Sequence, residues 1–143
     1  MTKTLGFDKI SGCILLVVGK DAPADVDWDG YLAFLKINLS TGSVPRLVVY
    51  TAGGAPTALQ RKKLQAATEP FAKAAKIAVI TASVVARGAV TALSWFSPGH
   101  AAFSPDKIDD ALAFLGVSDS DRTMIKTHIR TMERKISPTA QVP

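Results

Sequence analysis

Arg46-Leu-Val-Val-Tyr50, the loop Thr51-Ala-Gly-Gly-Ala-Pro56 and the start Thr57-Ala-Leu-Gln60 decide the fold of this chain. A short apolar run rich in β-branched and aromatic residues, bounded by turn residues, reads as a buried strand. Two glycines and a proline end it. Thr57 with Gln60 three residues on is a capping box: the hydroxyl accepts from the third amide of a helix while the Gln side chain reaches back. Strand, tight loop and capped helix make half of a β-α-β unit.

Upstream, Cys13-Ile-Leu-Leu-Val-Val18 ends at Gly19 and reads as a strand buried on both faces. Leu5 and Phe7 alternate ahead of Asp8-Lys-Ile-Ser-Gly12, which predicts a short strand and turn leading into it. Trp28, Leu32, Leu35 and Leu39 recur at i, i+4, i+7 and i+11, one stripe of a helix that Ser40-Thr-Gly-Ser43 ends. Asp25, Asp27 and Asp29 crowd its start, where the helix dipole favours negative charge.

Downstream, the helix opened by Thr57 runs towards Pro70, and Lys76-Ile-Ala-Val-Ile-Thr-Ala82 is the next strand. Ser83 caps a helix over 84–96, broken by Ser97-Pro-Gly99, and His100-Ala-Ala-Phe103 is a further short strand. Ser104-Pro-Asp sets an N-cap with Pro at the first helical position. Ile108, Ala111, Leu112 and Leu115 then form a helical stripe that Gly116 stops. A last helix opens with a second capping pattern, Ser118 to Asp121, and carries Ile125, Ile129, Met132 and Ile136 on one stripe. Strands separated by helices imply right-handed crossovers and a largely parallel sheet. The expected architecture is a single α/β domain, with a central sheet of four to five strands flanked by helices and a C-terminal helix. Its expected division is a core over 1–117, an amphipathic helix over 118–136 and a flexible tail over 137–143.

The 143 residues are 48% hydrophobic and 20% charged, enough apolar material for one packed core. A single Cys excludes a disulfide framework and a cysteine-built zinc site, and fits a reducing, cytoplasmic compartment. Met1-Thr-Lys-Thr-Leu-Gly-Phe-Asp8 lacks a long apolar core, so no secretory signal is expected. No apolar run approaches the ~20 residues of a membrane span. Most of the net charge of +5 comes from residues 55–90, which hold six basic side chains and one acidic. Arg61-Lys62-Lys63 has no aromatic interleaved and no recognition motif accompanies it, so a solvated helix face is favoured over nucleic-acid binding.

The loop 51–57 is the leading candidate site. It follows a strand and enters a helix N-terminus, the place where ligands gather in α/β sheets. Gly53 and Gly54 would admit an anionic group, with Arg61, Lys62 or Arg87 meeting its charge. The loop matches neither G-x-G-x-x-G nor a P-loop, and a tight turn with a helix cap accounts for the same residues. His100 and His128 have no metal-ligand spacing, and Cys13 reads as an inert core thiol. Trp28, Trp95 and Phe96 fit packing better than a cofactor box. With no nucleophile–base pair and no metal constellation, no catalytic residue, metal or cofactor is expected. Arg122, Lys126, Arg130, Arg134 and Lys135 border the Ile/Met stripe of the last helix. That stripe covers its own sheet or docks on a partner, a second copy or an anionic membrane surface.

With the elements placed, Leu15-Leu-Val-Val-Gly19, the acidic and aromatic start of the 25–39 helix, the central strand 46–50 and its loop carry a resemblance. Lys76-Ile-Ala-Val-Ile80, His100-Ala-Ala-Phe103 and Ile108-Asp-Asp-Ala-Leu-Ala-Phe-Leu-Gly116 extend it. Over about residues 4–117 the chain resembles a STAS domain of the SpoIIAA-like family, bacterial signalling modules that include anti-sigma-factor antagonists. The resemblance implies a non-enzymatic regulatory module that binds a protein partner such as a kinase-like anti-sigma factor, with homodimerisation as an open alternative. In that family, phosphorylation of a Ser or Thr at the start of the second helix switches binding, because the phosphate adds charge. The family pattern there is Asp-Ser-Ser/Thr-Gly; this chain has Tyr50-Thr-Ala-Gly-Gly-Ala-Pro-Thr57, so Thr57 and Thr51 stand in as phosphoacceptor candidates. Other SpoIIAA-like proteins imply the alternative of a nucleotide- or lipid-binding domain using the loop 51–57.

Overall fold

The computed structural model describes residues 4–39, 45–71, 74–94 and 99–136. The expected turn at 40–43, the helix end at Trp95 and Phe96, and the tail 137–143 lie outside the described residues. Strands β1 (Leu5–Ile10) and β2 (Cys13–Val18) form an antiparallel hairpin. Its two-residue loop, Ser11-Gly12, has φ of 52° and 78°, the left-handed pair that matches the twist of the flanking strands. Then follow α1 (Asp25–Leu39), β3 (Arg46–Thr51), α2 (Ala58–Thr68), β4 (Lys76–Thr81), α3 (Val84–Ser94), β5 (His100–Phe103), α4 (Ile108–Phe114) and α5 (Asp119–Ile136). The sheet runs β1-β2-β3-β4-β5, antiparallel only at its first pair.

β2 is buried along its whole length because both faces of the sheet are covered. Cys13, Leu15 and Val17 point to one side, into a cluster with Leu112 of α4 and Ile125, Ile129 and Ile136 of α5. Ile14, Leu16 and Val18 point to the other, against Trp28, Tyr31, Leu32 and Leu35 of α1. The period of two along a strand thus divides the core into two layers. The stripe of α5 is spent on its own sheet, each buried Ile contributing about 1.5–3 kcal/mol. Ile125, Ile129 and Ile136 therefore face the chain's own sheet, while Met132 is half-buried.

Caps hold the helices as the sequence implies, with one exception. Ser83 Oγ accepts from the Ala86 amide at 3.1 Å, and Ser118 Oγ from the Asp121 amide at 3.4 Å. Gly116 ends the α4 turn with a φ of 77°. Ser104 is the exception: it makes no side-chain bond to a helix amide, and its hydroxyl donates to the Asp106 carboxylate instead. Pro105–Lys107 is consequently a 3₁₀ turn ahead of α4. Arg46 clasps the layers, donating from Nη2 to Ser11 O at 3.3 Å and from Nη1 to Leu115 O at 3.2 Å.

Candidate functional site

β3 and β4 end side by side, Thr51 opposite Thr81, and α2 and α3 start from that end of the sheet. The loop between β3 and α2 is closed on itself. Thr51 Oγ1 donates to Gly54 O at 2.6 Å and accepts from the Gly53 amide at 3.1 Å. The amides of Ala52 and Gly54 donate to Val18 O and Gly19 O at 3.0 and 2.8 Å. A Cβ on Gly54 would lie 2.0 Å from Asp21 O, so only glycine lets this loop meet the loop after β2. Gly53 has φ of 138°, a conformation that L side chains rarely adopt. The glycine pair thus serves the contact between two loops, and its amides donate within the protein.

Thr57 is exposed and caps α2: Oγ1 accepts from the Gln60 amide at 3.2 Å, and the Thr57 amide donates to Gln60 Oε1 at 2.9 Å. Gln60 is itself buried at 2% exposure. Its Nε2 donates to Pro23 O at 2.8 Å and to Asp25 Oδ1 at 2.9 Å, and its main-chain carbonyl accepts from Trp28 Nε1 at 3.0 Å. The capping residue therefore locks the start of α2 to the start of α1. A capping box signals the local bonds alone; the long-range ones to Pro23, Asp25 and Trp28 leave no mark in spacing.

The cations divide into two groups. Arg61 and Lys62 are exposed on the first turns of α2, Arg61 donating to Pro56 O at 2.9 Å, while Lys63 pairs with Asp29 at 3.3 Å. Arg87 sits on the β4–β5 side, where Nη1 donates to Thr81 O at 2.8 Å. There the Ser104 hydroxyl, chiefly, with the local amide and the charges of Lys107 and Arg87, holds the Asp106 carboxyl below its ordinary range. The same helix starts carry exposed aliphatic side chains that sequence reading passed over. Leu59 in the first turn of α2 is 62% exposed, and Val84 and Val85 at the start of α3 are 72% and 84% exposed. The starts of α2 and α3 thus each carry a cation and exposed apolar side chains.

Elsewhere, a groove of about 660 Å³ runs beside β1 between α1 and α5, lined by Phe7, Asp8, Val26, Gly30, His128 and Met132 among others. His128 Nε2 stands 2.9 Å from Asp8 Oδ2 at its margin. Cys13 is buried, which raises its thiol pKa, opposed by the Arg46 charge. Among the described residues no three His, Cys, Asp or Glu gather as a metal site, and no helix is long and apolar enough to cross a membrane.

A mixed five-stranded sheet opened by an antiparallel hairpin and covered by helices on both faces is a SpoIIAA-like fold. A solved structure shares it: an uncharacterized protein from the DUF3478 family with a SpoIIAA-like fold, from Shewanella loihica PV-4. That structure superposes with a TM-score of 0.58 at 18% identity, covering 80% of this chain and 93% of the other. No family model matches the chain, and no curated protein matches its sequence.

Proposed function

We propose that this chain is a non-enzymatic, regulatory protein-interaction module acting in the cytoplasm, which binds its partner through the helix starts at the end of β3 and β4. The exposure of Leu59, Val84 and Val85 carries the reading. Exposed aliphatic side chains beside cations at one end of a sheet suit a protein interface, whose centre is apolar and whose rim is polar. Arg61, Lys62 and Arg87 suit an acidic partner surface, since charge complementarity steers association. Fold alone does not fix function; the side chains at a site do.

Thr57 is the better placed phosphoacceptor, being exposed at a helix N-terminus, where a phosphate is electrostatically favoured. Thr51 has its hydroxyl engaged with the loop at both of its roles. Capture of partners from a lysate of the native source, with wild type against Val85→Asp, tests the module. The expected result is one or more partners lost with Val85→Asp and kept with Met124→Asp, an exposed site on α5. Identical capture by all three proteins overturns the surface. Thr57→Asp keeps a capping side chain and adds charge, so it separates a switch from a fold defect.

The second reading is a nucleotide or lipid bound at loop 51–57, with Arg61 and Lys62 on its anionic group. The exposed cations favour it, and the inward-donating amides of Gly53 and Gly54 weigh against it. Thermal-shift titration with nucleotides and anionic phospholipids decides between the two.

A further inference from the structure

We infer that α1 carries a self-association seam and that the chain pairs with a second copy through antiparallel α1 helices. The helix is apolar on two opposite sides. Trp28, Leu32, Leu35 and Leu39 face the sheet and are buried. At about 100° per residue, Val26, Gly30, Ala33 and Ile37 fall within a narrow stripe on the far side. All four are exposed, Val26 at 78% and Ile37 at 70%. A surface helix ordinarily keeps polar residues there. The spacing of i, i+4, i+7 and i+11 alternates fours and threes, as the seam of a two-stranded coiled coil does.

The order of residues names the occupant. Along the stripe the side chains run large, small, small, large, which reads the same in both directions. Antiparallel pairing sets Val26 against Ile37 of the second copy, and Gly30 against its Ala33. The small central pair lets the two backbones approach, with the larger side chains closing each end. Within 4 Å, a Cβ on Gly30 would meet only Phe7 Cζ, at 3.9 Å, so there is room at the centre of the seam, where Val26 and Gly30 also border the groove beside β1.

Charge selects the same orientation. Asp25, Asp29 and Lys36 fall along one flank of the stripe, the carboxylates at the start of the helix and the ammonium in its last turn. Antiparallel helices bring like flanks together in reverse order, so Lys36 of each copy faces the carboxylates of the other, which within their own chain also meet Lys63 and Gln60. The opposed macrodipoles add to this preference. The seam from Val26 to Ile37 takes up about 18 Å of the helix, short for a permanent dimer, so the association is reversible.

Sedimentation velocity of the full chain from about 1 μM to 1 mM, the range from tight to marginal association, tests the seam. Wild type passes from monomer to dimer, and Ala33→Glu raises Kd at least about tenfold, 1.4 kcal/mol, with no change in the urea midpoint. Orientation is read by oxidative cross-linking, since native Cys13 is buried and stays out of exchange. Val26→Cys mixed with Ile37→Cys forms a disulfide dimer of mixed mass, and Val26→Cys alone does not. A monomer at every concentration, or Ala33→Glu behaving as wild type, overturns the seam. Efficient cross-linking of Val26→Cys to itself overturns the antiparallel arrangement.

Discussion

The indole N–H of Trp28 donates to the main-chain carbonyl of Gln60 across 3.0 Å of protein interior, joining the first turns of α1 and α2. Two helices that follow different strands are thereby fixed relative to each other before their apolar faces are counted. The bond is matched by those of the Gln60 side chain, whose Nε2 and Oε1 are both satisfied. A buried amide with every partner in place rigidifies what surrounds it. Leu59 and Arg61 of the candidate interaction surface flank Gln60 in the chain, so this joint positions that part of it.

Gln60→Leu therefore destabilises the protein although it replaces a polar residue in the interior by an apolar one. It strands the buried Pro23 carbonyl, at about 1–3 kcal/mol for a buried group left unpaired, and removes the acceptor of the part-buried Thr57 amide. The expected loss is about 2–4 kcal/mol in urea unfolding, followed by Trp28 fluorescence. Gln60→Leu as stable as wild type would show that water reaches these groups.

The glycines divide by what stands beside them. Gly54→Ala places a Cβ against Asp21 O and forces the two loops apart, costing about 1–3 kcal/mol or more. Gly88 lies inside α3 with nothing within 4 Å of a built Cβ. Gly88→Ala therefore stabilises by about 0.5–1 kcal/mol through helix propensity and unfolded-state entropy. Opposite shifts of the urea midpoint are expected, and shifts of one sign refute the close approach at Gly54.

Much of the architecture was legible because one cause dominated each element. The apolar run of β2, the alternating start of β1 and the caps at Thr57, Ser83 and Ser118 all act locally, within a few residues. Ser104 misled because its hydroxyl found a closer acceptor in Asp106 than in the helix amide. The burial of Gln60 and the need for Gly54 arise from segments more than 30 residues away, and no spacing encodes such meetings. The outward stripe on α1 was present in the sequence, but the stronger buried stripe on the same helix obscured it.

The C-terminal helix is an integral part of the core, in energetic terms. Ile125 and Ile129 are buried against β2 and α4, so Ile129→Ala costs about 2–5 kcal/mol. Ending the chain after Val117 exposes Cys13, Leu15 and Val17 to water. Such a truncation is expected to bind a hydrophobic dye and to lose cooperative unfolding. Cooperative melting of residues 1–117 at the wild-type temperature would show that the core ends there.

Alkaline pH offers a reading of the α1 layer through its tyrosine. Burial pushes the Tyr31 phenol well above its ordinary value of 10.0. Tyr50 is raised too, by burial first and then by the charge and hydrogen bond of Glu133, against the opposing charge of Arg130. In both, the folded pKa lies above the unfolded one, so the native state keeps its protons longer. Their contribution to stability is then fully present below about pH 10 and is lost as pH rises through the folded values. Absorbance titration at the phenolate band should show native tyrosines resisting ionisation that urea-unfolded chains undergo near pH 10. Stability should fall above that pH, and Tyr31→Phe should flatten the fall. Ionisation of both tyrosines near pH 10 in the native protein would mean that Tyr31 is open to water and that α1 is not seated on the sheet.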